Sequence, residues 1–358
     1  MMRQEVVGRR KWVTDQQFLD LLGASNLIPG PTSTELAIYL GYARAGPLGL
    51  VLAGGLFILP AMFLVLVFAW AYVRYGALPQ VAALLYGIKP VIIAVIVQAI
   101  YGLLGTAVKT WRLGLVVVLG GGLYLLGVNP LVPLFGLALA IMLVENRGRL
   151  TARGRSPAGG HALLVAPLVP VGPGALALPA AGAAGLATLF LMFLKVGATL
   201  YGSGYVLLAF LRHDFVHRLR WLTDRQLLDA IAVGQFTPGP VFTTATFIGY
   251  LTGRWIGAVV ATLGIFLPSF VFVAAVYPAV PRLRASSWTA AFLDGANAAA
   301  LGLMIAVAWQ LGTTSIIDPL TAALAVLAAL LLIKVQINSV WLVLGGATAG
   351  LIAKLVTG

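Results

Sequence analysis

The chain has 358 residues, 61% hydrophobic and 9% charged, with a mean hydropathy of +1.01 and a formal net charge of +13. A soluble domain carries about 25% charged residues, so this composition excludes one and reads as an integral membrane protein. Cysteine is absent and the three histidines (His161, His213, His217) are scattered, which excludes disulfides and thiolate chemistry and leaves no reading of a metal or other cofactor.

Residues 3–17 are polar and basic, with Arg3, Arg9, Arg10 and Lys11 ahead of Trp12. Thr14-x-x-Gln17 reads as a capping box that opens a helix. That helix meets Asn26-Leu-Ile-Pro29-Gly30-Pro31-Thr32-Ser33-Thr34-Glu35, where Pro-Gly-Pro breaks it, and resumes from about 31 to 42 as a re-entrant hairpin. Apolar spans follow at about 47–73, 79–107, 112–127 and 129–145, each near the roughly 20 residues that crossing a bilayer needs. Arg147, Arg149, Arg153 and Arg155 then read as a cytoplasmic loop under the positive-inside tendency. Residues 163–185 are rich in Pro, Gly and Ala and read either as linker or as span. A span at about 187–211, a basic stretch from Arg212 to Trp221 and a second capping box, Thr223-x-x-Gln226, precede a second broken hairpin at about 225–251. Its break is Gln235-Phe-Thr-Pro238-Gly239-Pro240-Val-Phe-Thr243-Thr244. Spans at about 255–278, 288–311, 315–333 and 337–355 close the chain.

The two halves repeat. Trp12–Pro31 and Trp221–Pro240 align without a gap and agree at nine of twenty positions, among them Trp, Gln and both Asp, which shared apolar composition would not keep in register. After a one-residue gap, Gly41-Tyr42 meets Gly249-Tyr250, Gly49 meets Gly257, Leu59-Pro60 meets Leu267-Pro268, and Gly87 meets Gly295. The fold expected is all-α: two homologous helical repeats, 1–146 and 186–358, each with a Pro-Gly-Pro-broken hairpin, joined by a basic and Pro/Gly/Ala-rich linker, 147–185. The second hairpin is preceded by a span carrying Lys195-x-Gly197 and Gly202-Ser203-Gly204, with no equivalent ahead of the first. A helix is therefore expected upstream of the first residue given. Inverted and parallel repeats are both open, according to whether 163–185 spans.

Freed backbone groups in lipid are tolerated only where they are buried in protein or line a cavity, and paired breaks in two halves point to a transport site. A helix starts after each break, with unpaired N–H groups and a positive dipole end suited to an anion. Thr32, Ser33 and Thr34 in one copy, and Thr243, Thr244 and Thr246 in the other, add hydroxyls, although each could instead cap its own helix. With Asn26, Gly30, Gln235 and Gly239 they make up the candidate substrate site. Ionisable residues within spans cost about 2.5–3.5 kcal/mol on insertion scales and are functional candidates. Lys89 and Lys195 are read as balancing an anion, against snorkelling to an interface. Glu35, one turn past the first break, is the candidate proton carrier. Asp294 also falls within a span. Asp20 and Asp229 recur in both copies and are read as structural, and Arg44 and Arg254 as interfacial.

Leu27-Ile-Pro-Gly-Pro-Thr-Ser-Thr-Glu35, Gly41-Tyr-x-Arg44-x-Gly46, Phe57-Ile-Leu-Pro60-Ala61, Lys195-x-Gly197 through Gly204-Tyr205, Gly234-Gln-x-Thr-Pro-Gly-Pro240 and Phe266-Leu-Pro268-Ser269-Phe270 together resemble the chromate ion transporter family, over nearly the whole chain. The resemblance implies a two-domain transporter that exports chromate from the bacterial cytoplasm; the leading reading is a secondary transporter in the inner membrane, with exchange for protons or for sulfate left open as its coupling. Members of this two-half type carry an N-terminal helix with a Phe-Gly-Gly-Pro-type motif, which this sequence does not show. The implied partners are a chromate- or sulfate-like oxyanion, the bilayer and, as a homo-oligomer, further copies of the chain; no nucleic acid, no cofactor and no enzymatic activity are implied. The alternatives are a permease for sulfate or another oxyanion, and a membrane subunit that needs a partner.

Overall fold

The structure, a computed structural model, describes residues 2–76, 78–152, 183–201, 204–237, 239–277 and 286–357. All but three residues of the ambiguous stretch 163–185 lie outside these, as do Pro238 and the Gly202-Ser203 pair. Among the described residues the regular structure is helical throughout. A π-helical turn, Gln4–Arg9, leads to α1 (Asp15–Ser25), α2 (Thr32–Tyr75), α3 (Pro79–Ala107), α4 (Trp111–Leu125) and α5 (Leu131–Ala152). The second half has α6 (Ala183–Thr199), α7 (Leu207–Leu211), a π-helical turn Arg212–Arg218, α8 (Asp224–Phe236), α9 (Thr244–Val276), α10 (Ser287–Ser315), α11 (Pro319–Leu330) and α12 (Ser339–Thr357).

The repeat holds down to backbone angles. Both capping boxes form: Gln17 and Gln226 each donate a backbone N–H to the threonine hydroxyl at 3.2 Å and accept the threonine N–H at 2.9 Å. Lys11 and Arg220 occupy the left-handed region at φ 51° and 52°. Within α2 the helix is interrupted at Ala45 (φ −143°) and Gly46 (φ 58°), and within α9 at Gly253 (φ −143°) and Arg254 (φ 54°). The chain reverses there. A Cβ on Gly41 would collide with the Gly49 carbonyl and Ala53, and one on Gly249 with the Gly257 carbonyl and Ala261. In a straight helix, residues eight apart would be about 12 Å apart. Each long helix is therefore a short arm (32–44, 244–252) folded tightly on a long arm (47–75, 255–276), and glycine at the crossing lets the two backbones touch.

The long arms run antiparallel. Tyr277, just past the end of α9, meets Tyr42 beside the first turn with ring centroids 4.6 Å apart and the rings tilted by 55°. Tyr72, near the end of α2, meets Phe247 beside the second turn at 5.2 Å. This settles the orientation left open by the sequence: the repeats are inverted about an axis across the long arms. The last two helices of each half pack on the other half. Gly87 of α3 fits against Gly346 and Gly350 of α12, and Gly295 of α10 against Ala138 and Ile141 of α5. Small residues at such crossings bring backbones close where lipid offers no hydrophobic drive.

The span expected at 187–211 is not one helix. Helix α6 stops at Thr199, and Lys195 pairs with Asp214. Nineteen residues of straight helix would hold them about 28 Å apart, so the chain turns back through a third break near Leu200. Helix α6 starts beside the second turn, with Leu186 on Gly253. Helix α5 reaches the opposite end, where Ser287 donates to Asn146 at 3.1 Å.

Candidate substrate site at the helix breaks

The first break closes on itself through glycine. Gly30 has φ +142°, a conformation suited to glycine, and its N–H donates to the Leu200 carbonyl at 2.9 Å. Any side chain at Gly30 would fill space held by the Glu35 carboxyl and the Ser269 hydroxyl. Glu35 is fully buried, and the Ser269 hydroxyl is the polar group beside its carboxyl, although no hydrogen bond of good geometry reaches either carboxyl oxygen. The hydroxyls of Thr34, Tyr39 and Ser269 are likewise buried and unpartnered. Tyr39 is one turn along from Glu35 on the same face. A buried polar group without a partner costs on the order of 1–3 kcal/mol, so such a concentration beside a helix break calls for a ligand or proton.

The second break has different chemistry. Thr34 N–H and Thr243 N–H each donate to the preceding Pro carbonyl, of Pro31 at 2.8 Å and of Pro240 at 3.0 Å, which sets Thr244 in register with Glu35. The Thr243 and Thr244 hydroxyls donate to the carbonyls of Pro240 and Val241 at 2.9 and 2.8 Å, and those of Thr246 and Thr262 share a bond of 2.8 Å. These are the local capping bonds weighed against a substrate role. Gln235 accepts from Tyr205 at 2.9 Å and keeps a buried, unpartnered amide nitrogen. Gly239 faces Ala61 of α2, just as Gly30 faces Ser269 of α9, one residue past the matched prolines. Each break therefore abuts the proline helix of the other half.

The remaining candidates sit apart from this pair of breaks or hold partners. Asn26 is exposed at the end of α1, donating to Leu22 carbonyl at 3.2 Å; Ser33 is exposed and Thr32 half-buried. Lys89 lies 3.3 Å from the Asp229 carboxylate, which also accepts from the Tyr72 hydroxyl at 2.9 Å. Lys195 pairs with Asp214. Asp294 pairs with Lys109 at 2.7 Å, and Arg44 and Arg254 are exposed at the two turns. Ser269 and Tyr39 were not singled out from sequence. The signal for Ser269 was the replacement of Ala61 by serine in an otherwise repeated Leu-Pro motif.

Among the described residues, five helices are long and apolar enough to cross a membrane: Thr32–Tyr75, Pro79–Ala107, Val241–Val276, Ser287–Ser315 and Ser339–Val356. Inverted halves with paired helix breaks between them define a multi-pass membrane protein of the transporter class. The chain matches the Chromate transporter family over residues 1–143 and 187–351, and it belongs to that family. It is 33% identical to the chromate transport protein of Cupriavidus metallidurans over 98% of this chain and 87% of that one. It is 31% identical to the chromate transport protein of Pseudomonas aeruginosa over 98% and 86%, and 30% identical to a probable chromate transport protein of Synechococcus elongatus over 91% and 82%. No solved structure matches it.

Proposed function

We propose that this protein exports chromate across the bacterial inner membrane as a secondary transporter, with the oxyanion held between the helix breaks and proton movement carried by Glu35. The observation that carries this is the fully buried Glu35 carboxyl, with no cation or backbone donor on it and only the Ser269 hydroxyl beside it at Gly30. An isolated carboxylate in such a place is costly to bury unless a proton or a donor meets it, which is why the proton is assigned to Glu35. The two breaks divide the work. The second supplies a donor, the buried Gln235 amide nitrogen, of the kind a tetrahedral dianion needs. The first supplies a carboxyl and hydroxyls that hold or pass a proton. A protonated Glu35 admits the dianion beside it; an ionised one repels it.

Voltage favours the outward direction. One charge moved through 100 mV is worth about 2.3 kcal/mol, so a dianion leaving a cytoplasm at roughly −100 mV gains about 4.6 kcal/mol. That corresponds to more than about a thousandfold in concentration. Uptake driven by protons would need about three per dianion.

The test is chromate uptake into inverted membrane vesicles at fixed potential, with and without excess sulfate, for the wild-type chain and Glu35→Gln. Saturable accumulation lost in the variant is the expected result. Accumulation abolished by sulfate would assign a general oxyanion carrier. Absence of any chromate flux in the wild type would overturn the proposal.

A further inference from the structure

The chain between α6 and α7 makes contact with both Pro-Gly-Pro breaks. Helix α6 stops at Thr199, whose hydroxyl donates to the Lys195 carbonyl at 2.7 Å. Because Lys195 pairs with Asp214, the chain enters and leaves from one side and forms a third hairpin. On one side of its apex the Leu200 carbonyl accepts from Gly30 N–H of the first break at 2.9 Å. On the other, a Cβ on Gly204 would touch Val241, directly after the second break, at 3.5 Å, and the Tyr205 hydroxyl donates to Gln235 Oε1 at 2.9 Å. From Leu200 to Tyr205 a fully extended chain spans at most about 18 Å, so both breaks lie within reach of one short segment. Non-helical backbone persists in a membrane only where it is buried in protein or lines a cavity.

The Tyr205 contact decides what Gln235 offers. A glutamine amide has an acceptor end and a donor end. Here the acceptor end takes the Tyr205 hydroxyl, and the nitrogen is buried with no hydrogen-bond partner among the described residues. A buried donor left unpaired is costly, and a ligand with an acceptor atom removes that cost. Turned over, the same amide would present its oxygen, which repels an anion. Asn26, the matching residue of the first copy, gives its nitrogen to the Leu22 carbonyl of its own helix at 3.2 Å. The duplicated amide is thus bound to its own helix in one copy and to the third hairpin in the other.

We propose that Tyr205 is a positioning residue for the transported oxyanion: by holding the Gln235 carbonyl it makes the amide nitrogen a fixed donor where the three breaks meet. The third hairpin is then a wall of the substrate site, tied to the Glu35 break through Leu200 and to the Gln235 break through Tyr205. A donor held in place before the anion arrives loses no affinity to being ordered, and it suits an ionised, acceptor-rich anion. Tyr205 acts through Gln235 and need not touch the anion. The inference rests on the oxyanion reading above and adds one residue to that site.

The test is equilibrium dialysis of the purified full chain against chromate and against radiolabelled sulfate, with flux in inverted vesicles measured alongside. Tyr205→Phe is expected to weaken binding of the anion that the wild type takes by about tenfold, about 1.4 kcal/mol. In flux it should raise the half-saturating concentration while the maximal rate stays within about twofold, a split that loss of folded protein does not produce. Gln235→Leu is expected to weaken binding as much, and Tyr205→Phe added to it to change affinity by less than about twofold, because the tyrosine acts through the amide. Where Gln235→Leu does not fold, Gln235→Asn, which draws the amide back from Tyr205, takes its place with the same expectation. Unchanged affinity in Tyr205→Phe, or a loss that recurs in full in the Gln235 variant, would overturn the positioning role. A wild type that binds neither anion would overturn the oxyanion reading and this inference with it, so the wild-type result alone separates the two failures.

Discussion

The two broken hairpins share their caps, their break and their backbone reversal, yet they solve burial in opposite ways. The first keeps α1 largely outside and encloses polar atoms with no partners around Glu35. The second draws α8 into the body and satisfies its threonine hydroxyls locally. The geometry thus belongs to the duplication, and the chemistry to the few positions where the copies diverged: Glu35 against Thr244, Ser269 against Ala61, and Lys89 against Asn297. Mutations that treat the copies alike or unlike sharpen this distinction.

The largest effect expected is one in which the halves do not differ. Gly41→Leu and Gly249→Leu each force a side chain into the carbonyl of the facing glycine, where backbone cannot yield as a flexible side chain would. Overpacking costs about 1–3 kcal/mol where side chains can shift; here the obstacle is a backbone carbonyl in each copy, so the loss exceeds that range and is expected to abolish the fold. Both variants should lose folded protein by size-exclusion chromatography to a similar degree. A tolerant copy would mean that its arms separate during the transport cycle.

The next effect separates the copies. Arg212 is paired with Asp224 at 2.7 Å and also reaches Gln310, with only 9% of its side chain exposed. Its counterpart Arg3 pairs with Asp15 at 2.9 Å with 60% exposed. Removing one partner of a buried pair costs about 3–5 kcal/mol, whereas exposed pairs contribute about 0–1 kcal/mol. Arg212→Ala should therefore lower the thermal midpoint clearly, and Arg3→Ala should leave it within error. Equal losses would show the first hairpin to be as enclosed in the bilayer as the second.

Transport gives the third contrast. Glu35→Gln removes the titratable group while keeping its shape, and should reduce chromate flux by at least about tenfold, a loss of about 1.4 kcal/mol in the transport barrier. Thr244→Val, in register with it, removes a hydroxyl that donates to the Val241 carbonyl, and should keep flux within about threefold, under 1 kcal/mol. The reverse ranking would move the functional break to the second half.

Much of this architecture is legible in the chain because its determinants are local. Thr-x-x-Gln boxes, Pro-Gly-Pro breaks and the repeated Gly41/Gly49 and Gly249/Gly257 spacings act within a few residues. What is not legible are contacts set by how the copies interleave. Lys89 and Asp229 are 140 residues apart, and nothing in either segment names the other; read alone, each lysine looked like a free cation for an anion. Lys195 likewise finds Asp214 only because α6 stops at Thr199, and no proline marks that stop among the described residues. Ser269 joins Glu35 only through the inversion, which periodicity cannot reveal since apolar helices read alike in either direction.

The smallest effect concerns the two turns. Gly46 and Arg254 hold nearly the same angles, φ 58° with ψ −145° and φ 54° with ψ −142°. Glycine occupies this region freely, whereas a residue with a Cβ is strained by about 1–3 kcal/mol. Part of that is offset because glycine loses more freedom on folding, by about 0.5–1 kcal/mol. Arg254→Gly should therefore stabilise the protein by about 1 kcal/mol, read as a rise of a few degrees in thermal midpoint, and Gly46→Arg should do the reverse. The two substitutions make the turns alike in opposite senses, so transport can be compared at matched backbone strain. If Arg254→Gly gains stability and keeps its flux, the arginine is interfacial and the strain is a relic of divergence. If it gains stability and loses flux, the strain is held in place by an arginine that draws the anion to its exit, and the second turn joins the list of positions at which chemistry, not geometry, distinguishes the halves.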